Sequence, residues 1–338
     1  MYHQRVKLYK EIEEMRNSKV IAYITGDRVG METQISPEVV DMFSEHLDSI
    51  FNKSKKISLI LYSRGGQILA AWNIVNLIKM FCDTFEVIIP YVAHSSGTLI
   101  SIGADNIIMT KQATLSPVDP SVNTPFNPVM NSIQQPVSVE DVAGYFALAK
   151  KEMAEQTNLQ LAFQKLTECI NPLALGNVAR SREQIKMLAD KLLQSHMKNE
   201  EMRKKVIAFL CSDSGSHDYT ISRREAKNDL KLPIEIPSDA LYKTIKSIYN
   251  DIKVEMELRS PFNPSYFVAS ESQPVSYQCT RALLESIDGG SHRFISSGQI
   301  SGIQPMLPQQ FSPMPVPFLQ AMDQRTQEEW TYEQPSQK

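Results

Sequence analysis

The sequence predicts an α/β protein built on a parallel sheet with flanking helices, and three observations carry that prediction. Short apolar runs, VIAYIT (20–25), ISLILY (57–62) and FEVIIPYV (85–92), follow one another with helical patterns between them. Their apolar residues are consecutive rather than alternate, as in strands covered on both faces. Each run also ends at a loop carrying glycine or serine that leads toward a helix, the place where parallel sheets put their ligands.

Taken in order, the leader MYHQRVKLYKEIEEMRNSK is charged throughout and forms an N-terminal helix over 1–18. It lacks the apolar stretch of roughly 7 to 15 residues that marks a signal peptide. After VIAYIT, the stretch SPEVVDMFSEHLDSI (36–50) predicts a helix with Ser36 as cap and Pro37 in the first turn. ISLILY leads through SRGG into a helix over Gln67–Phe81, and FEVIIPYV leads through AHSSG into another helical run. Ile107–Met109 and Thr114–Val118 continue the series of strands, and the main domain spans 19–235. From about Val137 to Met256 the pattern is mostly helical; SREQIKMLADKLLQSHM and SDALYKTIKSIYNDI are amphipathic and pack around the sheet or form an oligomer contact. The segment 236–287 reads as a helical extension. The last 48 residues hold nine glutamines and six prolines, a composition that buries too little apolar area to offset ordering. Residues 288–338 are therefore expected as a disordered tail, available for docking a partner.

Bulk properties narrow the function. The chain of 338 residues carries 35 basic and 38 acidic side chains, a formal net charge of −3, so nothing favours nucleic acid as a partner. No apolar run approaches the roughly 18 to 20 residues that span a bilayer, and the expected location is cytoplasmic. The four cysteines are scattered without a C-x-x-C pair, which favours neither a zinc site nor a disulfide framework. The phosphate-cradling P-loop pattern is missing from the sequence.

Two loops can carry chemistry. In SRGG, Ser63–Gly66, paired glycines let the backbone approach a substrate and aim N–H groups at a developing negative charge; they serve equally as a plain turn. In YVAHSSGTLIS (91–101), Ser95 precedes a helix. A serine there either caps the helix or attacks a substrate whose oxyanion is held by the unpaired N–H groups beside it.

The order ITGD (24–27), LILYSRGG (59–66) and Ser-x-Gly at 95–97 resembles the Clp protease and signal peptide peptidase A superfamily with its crotonase-like fold. LSPVDPS (115–121), NPLALGNVARSREQIKMLA (171–189) and SHDYTISRREA (216–226) look more narrowly like the serine dehydrogenase proteinase family. The resemblance covers roughly residues 18 to 235. It implies a cofactor-independent serine peptidase acting on peptide or protein substrates, assembled as a homo-oligomer. It further implies Ser95 as nucleophile and an oxyanion hole made by Gly65 or Gly66 together with the N–H of Ser96.

The base is less evident, because a serine hydroxyl needs one within hydrogen-bond reach. Where Clp proteases carry a histidine this chain has Asp119. The stretch VAGYFALAKKEMAEQ (142–156) resembles the lysine-bearing helix of membrane-bound relatives of signal peptide peptidase A, which implies Lys151. Helical periodicity instead places Lys150 within the apolar face of Val139, Val142, Ala143, Phe146 and Met153. A third arrangement joins His217 to Asp119 or Asp218 as an acidic partner. His94 is expected to point away from Ser95. The competing functional reading is a non-catalytic crotonase-fold scaffold; an acyl-CoA enzyme of the same fold is disfavoured by the Ser-x-Gly motif.

Overall fold

A computed structural model describes residues 1–118, 121–122, 124–130, 132–135, 137–152, 159–213, 218–267, 274–303 and 320–335. Helix α1 (Tyr2–Arg16) leads into β1 (Lys19–Thr25), α2 (Val39–Ile50), β2 (Lys56–Tyr62), α3 (Ile68–Phe81) and β3 (Thr84–Ile89). The short β4 (Val92–Ala93), α4 (Ser96–Ile102), β5 (Asn106–Met109) and β6 (Thr114–Leu115) follow. β1, β2, β3 and β5 lie side by side in parallel, so that Ile21, Leu59, Val87 and Ile107 form one row across the sheet and Ala22, Ile60, Ile88 and Ile108 the next.

Successive side chains of a strand face opposite ways, and the two rows show why these runs are apolar throughout. The first row packs with Phe43 of α2, Ile74 of α3 and Leu99 of α4. The second packs on the other face with Tyr9 and Ile12 of α1. All eight row residues are fully buried, and each large aliphatic among them stabilises the fold by about 1.5–3 kcal/mol.

FEVIIPYV departs from the expected single strand. Pro90 has no N–H to give a ladder, and its carbonyl accepts from the Thr110 hydroxyl at 2.8 Å. β3 stops before it, and β4 leaves the main sheet to pair in parallel with β6, Val92 opposite Thr114. This diversion carries the serine loop.

Past β6 the chain forms β7 (Ser121–Val122), β8 (Val129–Met130), β9 (Ile133–Gln134), β10 (Val137–Ser138), α5 (Val139–Glu152), α6 (Leu159–Cys169), α7 (Pro172–Leu193) and α8 (Glu200–Ala208). α5 rests on this subassembly, with Val142 against Val137 and Val178 and Phe146 stacked on Phe163 of α6. Then come β11 (Ile221–Ser222), which pairs with β6, α9 (Arg223–Asn228), β12 (Ile234–Glu235), which extends the sheet beyond β5, and α10 (Asp239–Glu255).

The C-terminal third differs from expectation. Within 236–287, α10 is helical as expected, yet Val275–Ser286 is strand β13, antiparallel beside β1. Within 288–338, Gly290–Ile303 and Gln320–Glu333 are strands β14 and β15 rather than disordered tail, completing the order β12-β5-β3-β2-β1-β13-β14-β15. The composition average hid this because five of the six prolines fall at 305–317, between the two strands. Neither strand contains one, and backbone pairing needs little apolar side chain. Residues 304–319 and 336–338 lie outside the described residues.

The N-terminal helix is likewise no separate unit. Arg5, fully buried, donates to both carboxylate oxygens of buried Glu285 on β13 (2.9 and 2.7 Å) and also to Glu255 (2.6 Å) and Asp251 of α10. The Tyr9 hydroxyl donates to Glu285 at 2.7 Å. Burial works against the ionised Glu285, but the Arg5 charge and these hydrogen bonds outweigh it and hold the carboxyl below its ordinary range. Removing one member of such a pair strands the other charge in the core. Arg5→Met is expected to lower unfolding free energy by about 3–5 kcal/mol, measured by urea denaturation; a loss below 1 kcal/mol would count against this role.

A second buried polar pair ties α2 to the added strands. His46 Nδ1 lies 2.7 Å from the Ser286 hydroxyl and Nε2 lies 3.1 Å from Nδ1 of His292, whose other nitrogen is 3.3 Å from Glu45. Burial first, then the neighbouring His292, pushes His46 down to about 3; burial also lowers His292. Both rings therefore bind protons less readily in the fold than in the unfolded chain, which takes up protons there as the solution is acidified. Their stabilisation is intact above about pH 6.5 and declines as pH falls toward the folded values, by at most about 1.4 kcal/mol per pH unit for each ring. Urea midpoints measured between pH 6.5 and 5 are expected to fall, and His46→Gln should flatten that slope.

Candidate active site

Ser95 closes the turn between β4 and α4 with φ 50° and ψ −117°, a backbone conformation that costs on the order of 1–3 kcal/mol for a residue bearing a side chain. Neighbouring contacts hold it. The Ser95 N–H donates to the Ser116 hydroxyl at 2.8 Å, His94 N–H to the Ser63 carbonyl at 2.9 Å, and Gly97 N–H to the His94 carbonyl at 2.7 Å. The Thr98 hydroxyl donates to the Ala93 and Ser116 carbonyls, at 2.9 and 2.8 Å. The strained turn lifts the half-buried Ser95 to the head of α4, whose first N–H groups have no helical acceptor.

The SRGG loop lies directly against it. A Cβ on Gly65 would stand 2.7 Å from Ser95 Cβ and 3.2 Å from Ser95 Oγ, and Gly65 has φ +119°. Only glycine allows both that backbone and that approach. Gly66, φ +148°, presses on the other side against Ile35, where an added Cβ would fall 2.3 Å from the Ile35 carbonyl oxygen. Ile35 N–H donates to the Gly65 carbonyl and Gln67 N–H to the Ile35 carbonyl, both at 2.8 Å. In extended backbone, successive N–H groups point to opposite edges. With Gln67 N–H directed at Ile35, Gly66 N–H faces the opposite edge, where Ser63 already pairs with Ala93 next to the serine turn. Among the described residues, neither Gly66 N–H nor Ser96 N–H has a recorded acceptor, whereas Gly65 N–H donates to the Ser63 hydroxyl at 2.9 Å.

The structure thus brings Ser95, Gly65, Gly66 and Ser96 together. It does not bring the lysines to them in the isolated chain: Lys150 and Lys151 are both exposed in the last turn of α5. Asp119 and His217 lie outside the described residues. Asp218 is exposed in the turn before β11. Among the described residues, no lysine, histidine or carboxylate is recorded in a hydrogen bond with Ser95 Oγ. His94 Nε2 lies 2.9 Å from the Thr114 hydroxyl.

Sequence reasoning missed Ser116 and Ile35 as parts of the site. Ser116 stands in the noted LSPVDPS motif, and a hydroxyl immediately past the strand paired with β4 is the signal that could have found it. Ile35 carries no local mark, because its contact with Gly66 is a backbone bridge. No group of three or more metal-binding side chains occurs among the described residues, and no described helix is long and apolar enough to cross a membrane.

Comparison with known proteins places this geometry in context. The chain is 28% identical over 244 residues to an uncharacterized protein of Methanocaldococcus jannaschii, covering 69% of this chain and 76% of that protein. A second uncharacterized protein of the same organism is 33% identical over 126 residues, 35% of this chain and 42% of that protein. Among solved structures it is similar to a mutant of the 1510-N membrane-bound stomatin-specific protease, with TM-score 0.40 and 14% identity over 71% of this chain and 86% of that one. ClpP1 from Listeria monocytogenes gives TM-score 0.37 and 16% identity over 68% and 99%. The decisive match is to a family model described as ClpP-like SDH-type serine proteinase, which spans residues 1–264 and so takes in α1 and α10 as well as the serine and glycine loops. The chain belongs to that family, and is a serine protease of ClpP-like fold.

Proposed function

We propose that the protein cleaves peptide bonds through an acyl-enzyme on Ser95, without a cofactor. The observation that carries this reading is the serine held at φ 50° against Gly65 and beside two N–H groups, on Gly66 and Ser96, without recorded acceptors among the described residues. Ser95 Oγ attacks the substrate carbonyl, its proton passes to a base, and the carbonyl oxygen gains negative charge. N–H groups already fixed in place favour that charge without rearranging, and each such donor is worth about 10²–10³ in rate. The base then returns the proton to the leaving amine, and water releases the acyl group by the same steps in reverse.

We assign the base to Lys151, with Lys150 as its alternative. A lysine serves as a base only when desolvated, so α5 must be covered, by bound substrate or by a second copy in a homo-oligomer. A second reading has its own support. The three-stranded order β11-β6-β4 runs from the segment just after His217 and Asp218 to the strand that delivers Ser95. Asp119 follows Ser116, the residue that holds the Ser95 N–H, by three positions. In that reading His217 is the base, with Asp119 or Asp218 as its partner. The setting we propose is cytoplasmic, with the proline-rich segment 304–319 available to dock a partner.

Ser95→Ala is expected to reduce labelling by a fluorophosphonate probe to background while leaving the thermal midpoint within a few degrees; undiminished labelling would sink the nucleophile assignment. The base is separated by Lys151→Ala, Lys150→Ala and His217→Ala. Lys151→Ala should slow labelling by about 100-fold or more, with the other two within a few-fold of the parent. Loss confined to His217→Ala would move the role to the histidine.

A further inference from the structure

The ITGD motif that closes β1 takes no part in the reaction as described, yet its side chains reach each of the three residues that lead into the paired glycines. Asp27 accepts from the Tyr62 hydroxyl at 2.6 Å and from Arg64 Nε at 2.8 Å. Between those two, Thr25 donates its hydroxyl to Ser63 Oγ at 2.7 Å. Thr25 and Ser63 are both buried, at 1% and 0% exposure, so water does not compete for either hydroxyl.

Ser63 Oγ is the pivot. It accepts from Thr25 and from the Gly65 N–H at 2.9 Å, and the one proton it has to give lies 3.3 Å from the Gly65 carbonyl. Because Thr25 donates, Ser63 keeps its oxygen lone pairs toward the glycine, and Gly65 N–H is consumed inside the loop. The turn so formed sends the next N–H, that of Gly66, toward the serine edge. A free Gly65 N–H would compete for the same oxyanion with different geometry.

We propose that Thr25 and Ser63 are positioning residues that select Gly66, rather than Gly65, as the glycine N–H offered to the oxyanion. The selection runs from a hydroxyl on β1, through a hydroxyl just past β2, to the backbone of the glycine packed against Ser95. It rests on Ser95 being the nucleophile. Neither side chain contacts substrate, and their effect is on the rate of the bond-forming step rather than on binding.

The test uses the full chain and the fluorophosphonate probe, whose phosphoryl oxygen develops charge in the same place as the carbonyl oxygen of a peptide. Thr25→Val removes the hydroxyl at nearly constant volume, and Thr25→Ser keeps it. Thr25→Val is expected to lower the maximal labelling rate by about 10-fold or more, given the 10²–10³ attached to a whole donor, while the probe concentration at half-maximal rate and the thermal midpoint stay near the parent. Thr25→Ser should restore most of the rate. Amide hydrogen exchange gives a readout that needs no activity: Gly65 N–H is expected to be protected in the parent and to exchange at least 10-fold faster in Thr25→Val and in Ser63→Ala. Unchanged Gly65 exchange, a parental labelling rate in Thr25→Val, or no rescue by Thr25→Ser overturns the proposal. Labelling that survives in Ser95→Ala overturns the nucleophile instead, and the exchange arm still decides whether the two hydroxyls hold the loop.

Discussion

The constraint on which the rest of this architecture turns is a serine forced to a positive φ. That conformation is unfavourable for any residue with a Cβ, and three separate parts of the chain make it possible. Pro90 ends β3 and lets β4 swing to β6, the Ser116 hydroxyl captures the Ser95 N–H, and Gly65 supplies a neighbour with no side chain. Each of these is costly or odd in isolation. Together they set the Ser95 hydroxyl against Gly65 at the head of α4.

The scaffold beneath that turn is held in a different manner. The rows through Ile21 and Ala22 give it a dry interior on each face of the sheet, and buried ions then fix what packs on it. Glu86 of β3, fully buried, is met by Arg16 at the end of α1 at 3.0 and 2.7 Å and by Lys56 of β2 at 2.8 Å; burial opposes its charge and these partners win, lowering its proton affinity. Arg16 also reaches Glu235 of β12 at 2.6 Å. With Arg5 on Glu285, one helix thus pins both flanks of the sheet by charge. Hydrophobic area alone would tolerate many placements of α1; directional, desolvated ion pairs tolerate few.

Much of this was legible in the sequence, for physical reasons that also explain the gaps. Strands buried on both faces must be apolar at every position, so β1, β2 and β3 announce themselves. Ser95 and the two glycines lie in loops tied to strand ends by short local spacing, and their proximity follows once the strands are parallel neighbours. The strands β14 and β15 were not legible, because an antiparallel addition held by backbone pairing can be polar and rich in glutamine. α1 read as a charged leader because its decisive residue, Arg5, is charged and finds its partner 280 positions away. The general base is the hardest part, since a base is defined by an environment that residues from distant segments, or another copy, must create.

That 280-residue separation has a consequence for how the protein is made. The motifs of the reactive turn have all been synthesised by Ser116, while Arg5 of α1 still awaits a counter-charge that has not yet been translated. At about 5–20 residues per second, Glu285 follows Arg5 by roughly a quarter of a minute to one minute. During that interval Arg5 lacks Glu285, and the edge of β1 that β13 will cover stands open. The serine loop is thus translated long before the strand whose glutamate receives Arg5.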